Sequence, residues 1–432
     1  MIKRFLLTLK VNSVRISLVI VLSFLVMMES GNAQSYFPAN GQPWETVSFA
    51  EAGWCSDSLS ALIEYLDQED TKAFIVLQDG RIIIEHYFDS FTSDSLWYWA
   101  SAGKTLTSSL VGIAESEGYL NIDSTVSTYL TSGWSSMTID QEDEVTVRHQ
   151  LTMTTGLNEN VSNDDCTLPS CLEYLAEPGT RWAYHNAPYS LLYQVLQSAT
   201  GFNMNQLFSQ KIGMPCGISG LYYPSGTYTK MFISTPRDMA KFGLLLQSQG
   251  NWNGNQIIPQ SYFSELISPS QSINDAYGYL TWLNNDGAFM IPGSQLQIPG
   301  RIAPSAPSDM YAGLGKNGQV VCAAPGKNVS FIRMGNGNNE LVSFSILENI
   351  WSKMQWFFCS SDTPILSKEN FVIGNNGHRP FVVQKGNFDF FIMDLKGQKL
   401  SQDISELSQG VYILFATNGK ENKVIQLMVG DK

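Results

Sequence analysis

The 432-residue sequence predicts an α+β fold: an antiparallel sheet flanked by helices, with a mainly helical region inserted between its strands. Three observations predict it. AFIVLQDGRIIIEHYF reads as a hairpin near the start of the chain, the middle is helical and loop-rich, and strands return from about Gly313. One sheet built from both ends of a domain accounts for that order. A change of texture around Ser361–Ser367 predicts a separate, small all-β sandwich after it.

Residues 1–33 read as a signal peptide. Lys3, Arg4, Lys10 and Arg15 form a basic segment, Ile16–Met28 is apolar but short for a membrane span, and Ser30, Gly31 and Ala33 follow. Cleavage after Ala33 is expected, with an uncleaved anchor as the alternative. Residues 34–54 are an N-terminal extension, and the main domain is expected over 55–360. In the hairpin, Asp79-Gly80 supplies the type I′ turn. A helix is expected from Ser101, since Leu106, Leu110, Ile113 and Ala114 recur on one face and Gly118 can end it. VRHQLTMTTGL and PYSLLYQVLQSATG continue the helical region. STPRDMAKFGLLLQSQG opens with Ser/Thr caps and a first-turn proline. QVVCAAPG and NVSFIRMGNG are strands, and a closing helix is expected near Leu341–Phe358. Over 363–432, PFVVQKG, FDFFIMDLKGQKL, GVYILFATNG and KVIQLMVG are short, glycine-punctuated strands.

The formal net charge is −13, and about −16 once residues 1–33 are removed. Phosphate backbones would repel such a chain, which excludes nucleic acid as a partner. No Cys-x-x-Cys pair or Cys/His cluster occurs and there are only four histidines, so a metal site is not expected. Cys166 and Cys171, separated by Thr-Leu-Pro-Ser, are the candidate disulfide; the other cysteines are bridged or buried free thiols.

Two patches carry candidate chemistry. In WYWASAGKTL, Ser101 and Lys104 stand three apart, so they share one face of a helical turn. They are either a nucleophile with its base or a surface serine beside a solvated lysine. The first reading requires burial to pull the ammonium toward neutrality, and Trp97, Tyr98, Trp99 and Ala100 are the expected source of that desolvation. In RWAYHNAPYSLL, Tyr184 and Asn186 precede a helix. A phenol held near a cation can relay a proton, and an asparagine offers both a donor and an acceptor. A core tyrosine and a helix cap are the alternative. Tyr222, Tyr223, Tyr277, Tyr279 and Trp282 line an acyl pocket or belong to the core. His149 and His185 lack a G-x-S-x-G partner, which argues against a Ser-His-Asp triad.

Ser101-Ala-Gly-Lys104 followed by Tyr184-His-Asn186 resembles the penicillin-binding-protein and class C β-lactamase family of serine hydrolases. VRHQLTMTTGL, EPGTRWAYHN and TPRDMAKFGLLLQSQG fit it in order, over roughly residues 55–358. The resemblance implies a β-lactamase/transpeptidase-like fold and acyl transfer through Ser101. It assigns Lys104 as base and Tyr184 as proton relay, and gives Asn186 the task of holding Lys104 and substrate. Neither a metal nor an organic cofactor is implied. The third family motif departs: where the family carries Lys-Thr-Gly or His-x-Gly, this chain has Gly313-Leu314-Gly315, with Lys316 next. The missing cation argues against efficient β-lactamase or carboxypeptidase action. Esterases and 6-aminohexanoate-dimer hydrolases of the family tolerate such changes, so a small-molecule ester or amide is the expected substrate. By correspondence the N–H groups of Ser101 and Lys316 form the oxyanion hole; GLGKNG as a plain turn is the alternative.

The C-terminal module resembles the sorting domain of type IX secretion, through NFDFFIMDLKGQKLSQ, SELSQGVYILFATNG and KVIQLMV. That resemblance implies export machinery as a partner and periplasmic transit to the cell surface or exterior; no transmembrane helix is expected after signal removal. Two rival functions stay open: a penicillin-recognising or peptidoglycan-binding module without turnover, favoured by Gly313, and a surface adhesin. A D-Ala-D-Ala-type peptidase is a further alternative.

Overall fold

The structure, a computed structural model, describes residues 35–337 and 340–358, together with five C-terminal strands within 371–429. The predicted signal segment lies outside the described residues. The chain divides into two compact units after Phe357.

The first unit is built on a six-stranded antiparallel sheet: β1 (Thr71–Gln78), β2 (Arg81–Tyr87), β3 (Trp282–Leu283), β4 (Tyr311–Gly315), β5 (Gln319–Ala324) and β6 (Val329–Gly335). Their spatial order is β2-β1-β6-β5-β4-β3. The hairpin and the returning strands therefore share one sheet, as the strand–helix–strand order predicts. Asp79 and Gly80 both have positive φ (49° and 80°), which a type I′ turn requires. The extension joins this edge: Val47 N–H donates to Ile82 O and Tyr36 N–H to Asp79 O.

Five longer helices surround the sheet: α1 (Leu59–Gln68), α2 (Gly103–Ser116), α3 (Asn186–Thr200), α4 (Pro236–Gln247) and α5 (Phe344–Met354). α4 opens as its sequence directs, with Thr235 accepting from Asp238 N–H and Pro236 in the first turn. It packs on the face carrying Val321 and Ile332, which lie near Gly243. The opposite face carries Phe331, whose ring meets Trp351 of α5 at 5.6 Å. These layers bury both faces of the sheet, and β4, β5 and β6 are buried along their whole length.

α2 is the central helix. Every residue from Gly103 to Ala114 is buried, including Thr105, Thr107, Ser108 and Ser109. The hydroxyls are affordable there because they find partners: Ser109 Oγ donates to Thr105 O, and Ser108 Oγ pairs with Tyr262 Oη at 3.0 Å. Gly112 is required by the same neighbour, since a Cβ there would lie 2.2 Å from the Tyr262 ring.

VRHQLTMTTGL is helical only over Val147–Leu151, because Met153 and Gly156 take positive φ (58° and 77°) and turn the chain. Cys166 and Cys171 form a disulfide. Cys216 and Cys322 are buried free thiols, whereas Cys55 is disulfide-bonded. Among the described residues, no helix is long and apolar enough to cross a membrane.

The second unit contains the strands Phe371–Asn375 and Pro380–Gln384 in one antiparallel pair. Asp389–Asp394, Gly410–Thr417 and Asn422–Val429 form a three-stranded antiparallel sheet.

Candidate active site

Ser101 lies in a 3₁₀ turn, Ala100–Ala102, that leads directly into α2. The helix itself starts two residues later than its sequence suggests. Ala100 precedes the serine with φ +45°, a conformation costly for a residue with a Cβ and typical of sites held by their surroundings. Trp99 anchors the turn from below, donating its indole N–H to Ser234 Oγ at 2.9 Å.

Lys104 is 3% exposed. Its Nζ is 3.0 Å from Ser101 Oγ and 2.8 Å from Asn186 Oδ1. The Tyr184 and Tyr189 rings cover it, with centroids 4.8 and 4.4 Å from Nζ. Burial pulls the lysine down from its ordinary value to about 7, against the opposing pull of Asp165 and Asp164. The solvated-lysine reading is thereby excluded. The source of desolvation differs from the sequence expectation: Trp99 packs on Phe232 and Phe242, and Trp97 stacks on Tyr98. The rings that dry Lys104 come from about 80 residues downstream.

Tyr184 is buried in an aromatic cluster. Trp282 stacks on it at 5.9 Å, and Tyr277 meets both. Burial raises the phenol well above its ordinary value, although Ser101 as a hydrogen-bonding partner pulls the other way. Asn186 is the first residue of α3, and His185 takes the cap position. The amide is thus free to bridge Lys104 and Asp164, whose Oδ2 lies 3.4 Å from Nδ2.

β4 runs beside the serine turn. Gly313 and Gly315 face it: a Cβ on Gly315 would lie 2.7 Å from Trp99 O and 2.9 Å from Ala102 N. The strand end therefore closes on the turn only because it lacks side chains. Lys316 follows with an exposed side chain. The turn after it is fixed by Arg333, fully buried, which donates to Gly318 O (2.7 Å) and Asn317 O (3.2 Å). Tyr189, Asp164 and Arg333 were not singled out by the sequence, since nothing local ties them to Ser101.

His149 is bonded to its own helix cap at Thr146, and His185 sits near Glu159 and Arg181 with burial lowering it to about 4. Tyr222, Tyr277, Tyr279 and Trp282 are buried core residues, while Tyr223 is half-buried with its hydroxyl on Met231 Sδ. Among the described residues, no group of three or more His, Cys, Asp or Glu is placed to hold a metal ion.

Known proteins are similar to this chain in sequence or in fold. An uncharacterized protein of Alkalihalophilus pseudofirmus is 24% identical over 326 residues, covering 66% of this chain and 90% of its own. A Bacillus anthracis protein assigned as a 6-aminohexanoate-dimer hydrolase matches in structure with TM-score 0.57 at 17% identity, over 74% of this chain and 89% of that one. A family VIII carboxylesterase matches with TM-score 0.54 at 17% identity, over 72% and 99%. At such identities these structures speak to fold. The family model Beta-lactamase matches residues 60–348, the span that holds the sheet, α2, α3 and the Ser101–Lys104–Asn186 cluster, and the chain belongs to the beta-lactamase family.

Proposed function

We propose that this chain is a serine hydrolase that cleaves an ester or amide bond through an acyl-enzyme on Ser101, and that it is not an efficient β-lactamase. The observation that carries this is the state of Lys104: buried, 3.0 Å from Ser101 Oγ, and lowered to about 7. A lysine near neutrality accepts a proton at physiological pH; one near its ordinary value does not. Tyr184 is driven in the opposite direction, so it stays protonated and serves as a donor rather than as the base.

The sequence of events follows. Lys104 Nζ takes the Ser101 hydroxyl proton as Oγ forms a bond to the substrate carbonyl carbon. The carbonyl oxygen becomes an oxyanion, held by the N–H groups of Ser101 and Lys316. Collapse breaks the bond to the leaving group, which takes its proton from Tyr184, and the Lys104 ammonium restores the phenol. Water then attacks the acyl carbon, giving its proton to the same pair, and Ser101 leaves with a proton from it. Asn186 holds the Lys104 amine in line throughout.

The substrate preference rests on Gly313. No cation stands at the position where the resemblance places one for a substrate carboxylate, which favours uncharged acyl groups. The likeness to a carboxylesterase and to an assigned 6-aminohexanoate-dimer hydrolase supports ester and amide substrates.

Incubation of the mature protein with a fluorophosphonate, followed by mass spectrometry, tests the nucleophile. A single adduct at Ser101, lost in Ser101→Ala, is expected; an unlabelled protein overturns the reading. A panel of p-nitrophenyl butyrate, nitrocefin, a D-Ala-D-Ala peptide and 6-aminohexanoate dimer tests the substrate, and the ester is expected to turn over best. Acylation by nitrocefin without release would favour a penicillin-recognising module instead, the reading Gly313 leaves open.

Export belongs to the same proposal. The basic and apolar leader over 1–33 and the sorting-like module over 363–432 support passage through the periplasm to the surface or exterior. Deleting residues 363–432 is expected to leave esterase activity intact and abolish surface delivery. Loss of attachment with delivery intact would identify the module as an adhesin.

A further inference from the structure

The segment before Tyr184 has a role that the nucleophile, base and proton donor do not cover. Ala187 N–H, in the first turn of α3, donates to Asp164 O at 2.9 Å. The Asp164 carboxylate lies 3.4 Å from Asn186 Nδ2. Asn186 therefore has its Oδ1 turned to Lys104 and its Nδ2 turned to Asp164, and no flipped orientation satisfies both neighbours. The loop that presents Asp164 is tied immediately after it. Asp165 N–H donates to Asn163 Oδ1, Cys166 N–H to Asn163 O, and Cys166 is joined to Cys171. A six-residue staple next to a half-exposed loop holds one carboxylate at the back of the catalytic amide.

We propose that Asp164, braced by the Cys166–Cys171 disulfide, is a positioning residue that fixes the Asn186 amide and biases the charge of Lys104. This deepens the hydrolase reading and rests on it. A carboxylate behind the amide stabilises the orientation that points Oδ1 at Lys104. Its charge, with that of Asp165, favours the ammonium and so opposes the desolvation supplied by Tyr184 and Tyr189. The Tyr184 and Tyr189 rings cover Lys104, and the charges of Asp164 and Asp165 act on it from behind Asn186 and the loop that follows. The two carboxylates thus counter part of the lowering that burial produces.

The sign of the consequence is fixed. Lys104 must be neutral to act, so the rate of Ser101 acylation rises with pH through its titration. Removing a nearby negative charge makes the ammonium less favourable and moves that limb to lower pH.

The experiment measures the rate of fluorophosphonate labelling of the full mature chain from pH 5 to 9. Asp164→Asn keeps an acceptor for Asn186 but removes the charge; the limb is expected to move down, raising the rate at pH 6 by roughly threefold relative to its own plateau. Asp165→Asn is expected to move the limb the same way. Asp164→Ala removes the acceptor as well, and its plateau is expected to drop roughly tenfold below that of Asp164→Asn. The double variant Cys166→Ser with Cys171→Ser frees the loop while keeping both carboxylates, and is expected to move the limb down. A limb that stays in place in Asp164→Asn and in the double serine variant, with Ser101 still labelled, overturns the proposal while sparing the hydrolase reading. Loss of labelling in the unaltered protein overturns the hydrolase reading itself. Melting temperature separates misfolding from either outcome, because a folding defect lowers the plateau without moving the limb.

Discussion

A Cβ on Gly313 would stand 2.7 Å from the carbonyl oxygen of Ala102 and 3.1 Å from Thr105 Oγ1. Gly313, where the resemblance places a cation, is thus a packing position, pressed against the turn that carries Ser101, the proposed nucleophile. Substituting the family's residue back should not restore the family's chemistry. Gly313→Lys and Gly313→His are expected to lose about 1–3 kcal/mol of stability, since the nearest obstruction, Ala102 O, is backbone that cannot swing aside and Val321 Cγ1 crowds the position at 2.9 Å. Thermal melts and nitrocefin assays check this together. A Gly313→Lys protein as stable as the parent and faster on nitrocefin would contradict it.

Tyr184 is expected to matter in proportion to how poor the leaving group is. Its raised phenol can donate a proton, and an acidic leaving group such as p-nitrophenolate departs without one. Tyr184→Phe should lower turnover of a simple alkyl ester by about 10²–10⁴-fold, the usual worth of a positioned proton donor. The p-nitrophenyl ester should suffer far less in its acylation burst. Equal losses on both esters would assign the phenol to activating Ser101 instead.

The chemistry was legible in the sequence where it is local, and illegible where it depends on long-range packing. Asp79-Gly80, the Thr235-Pro236 start of α4, the Cys166–Cys171 staple and the three-residue spacing of Ser101 and Lys104 each declare themselves within a few residues. The partners of Lys104 do not. Trp97 and Trp99 are its neighbours in the chain, yet they turn toward Tyr98 and toward Phe232 and Phe242. Tyr189 covers it, and Asp164 meets its partner Asn186, only because α3 and the chain before it fold back over α2. A burial that depends on tertiary packing leaves no periodic or spacing signal. The meaning of Gly313 was half legible: the missing cation could be read, whereas the reason no side chain fits needed the approach of Ala102.

Tyr189 offers a direct test of what lowers Lys104. Its ring sits 4.4 Å from Nζ, and its hydroxyl is bonded to Thr107 at 3.1 Å and Tyr193 at 2.6 Å. Two effects of the ring oppose each other. Shielding from water lowers the lysine, while the cation–π contact favours the charged form by about 2 kcal/mol at most. Burial is the leading cause of the lowering of Lys104, so shielding is expected to outweigh the cation–π contact. Tyr189→Ala, which admits water beside Nζ, is therefore expected to move the labelling limb to higher pH, opposite to Asp164→Asn. Tyr189→Phe keeps the ring, should leave the limb in place, and should cost about 1 kcal/mol for the lost hydrogen bonds.

Lys104→Met is expected to abolish labelling of Ser101 and yet raise stability. In the unfolded chain the lysine keeps its proton until about 10.5, whereas the native site releases it above about 7. The unfolded state therefore binds more protons between those values, and stability rises with pH across that window. The burden of burying the ammonium is fully present at and below pH 7 and vanishes as pH approaches 10.5. Methionine fills similar space without a charge, at the expense of an unpartnered Asn186 Oδ1. A net gain of roughly 1–2 kcal/mol at pH 6 is expected, in the range typical when an active-site strain is relieved. Denaturant melts at pH 6 and pH 9.5 decide the matter. The gain must shrink at the higher pH; a gain that is constant, or larger at pH 9.5, would mean that Lys104 is not the buried, lowered base that the site requires.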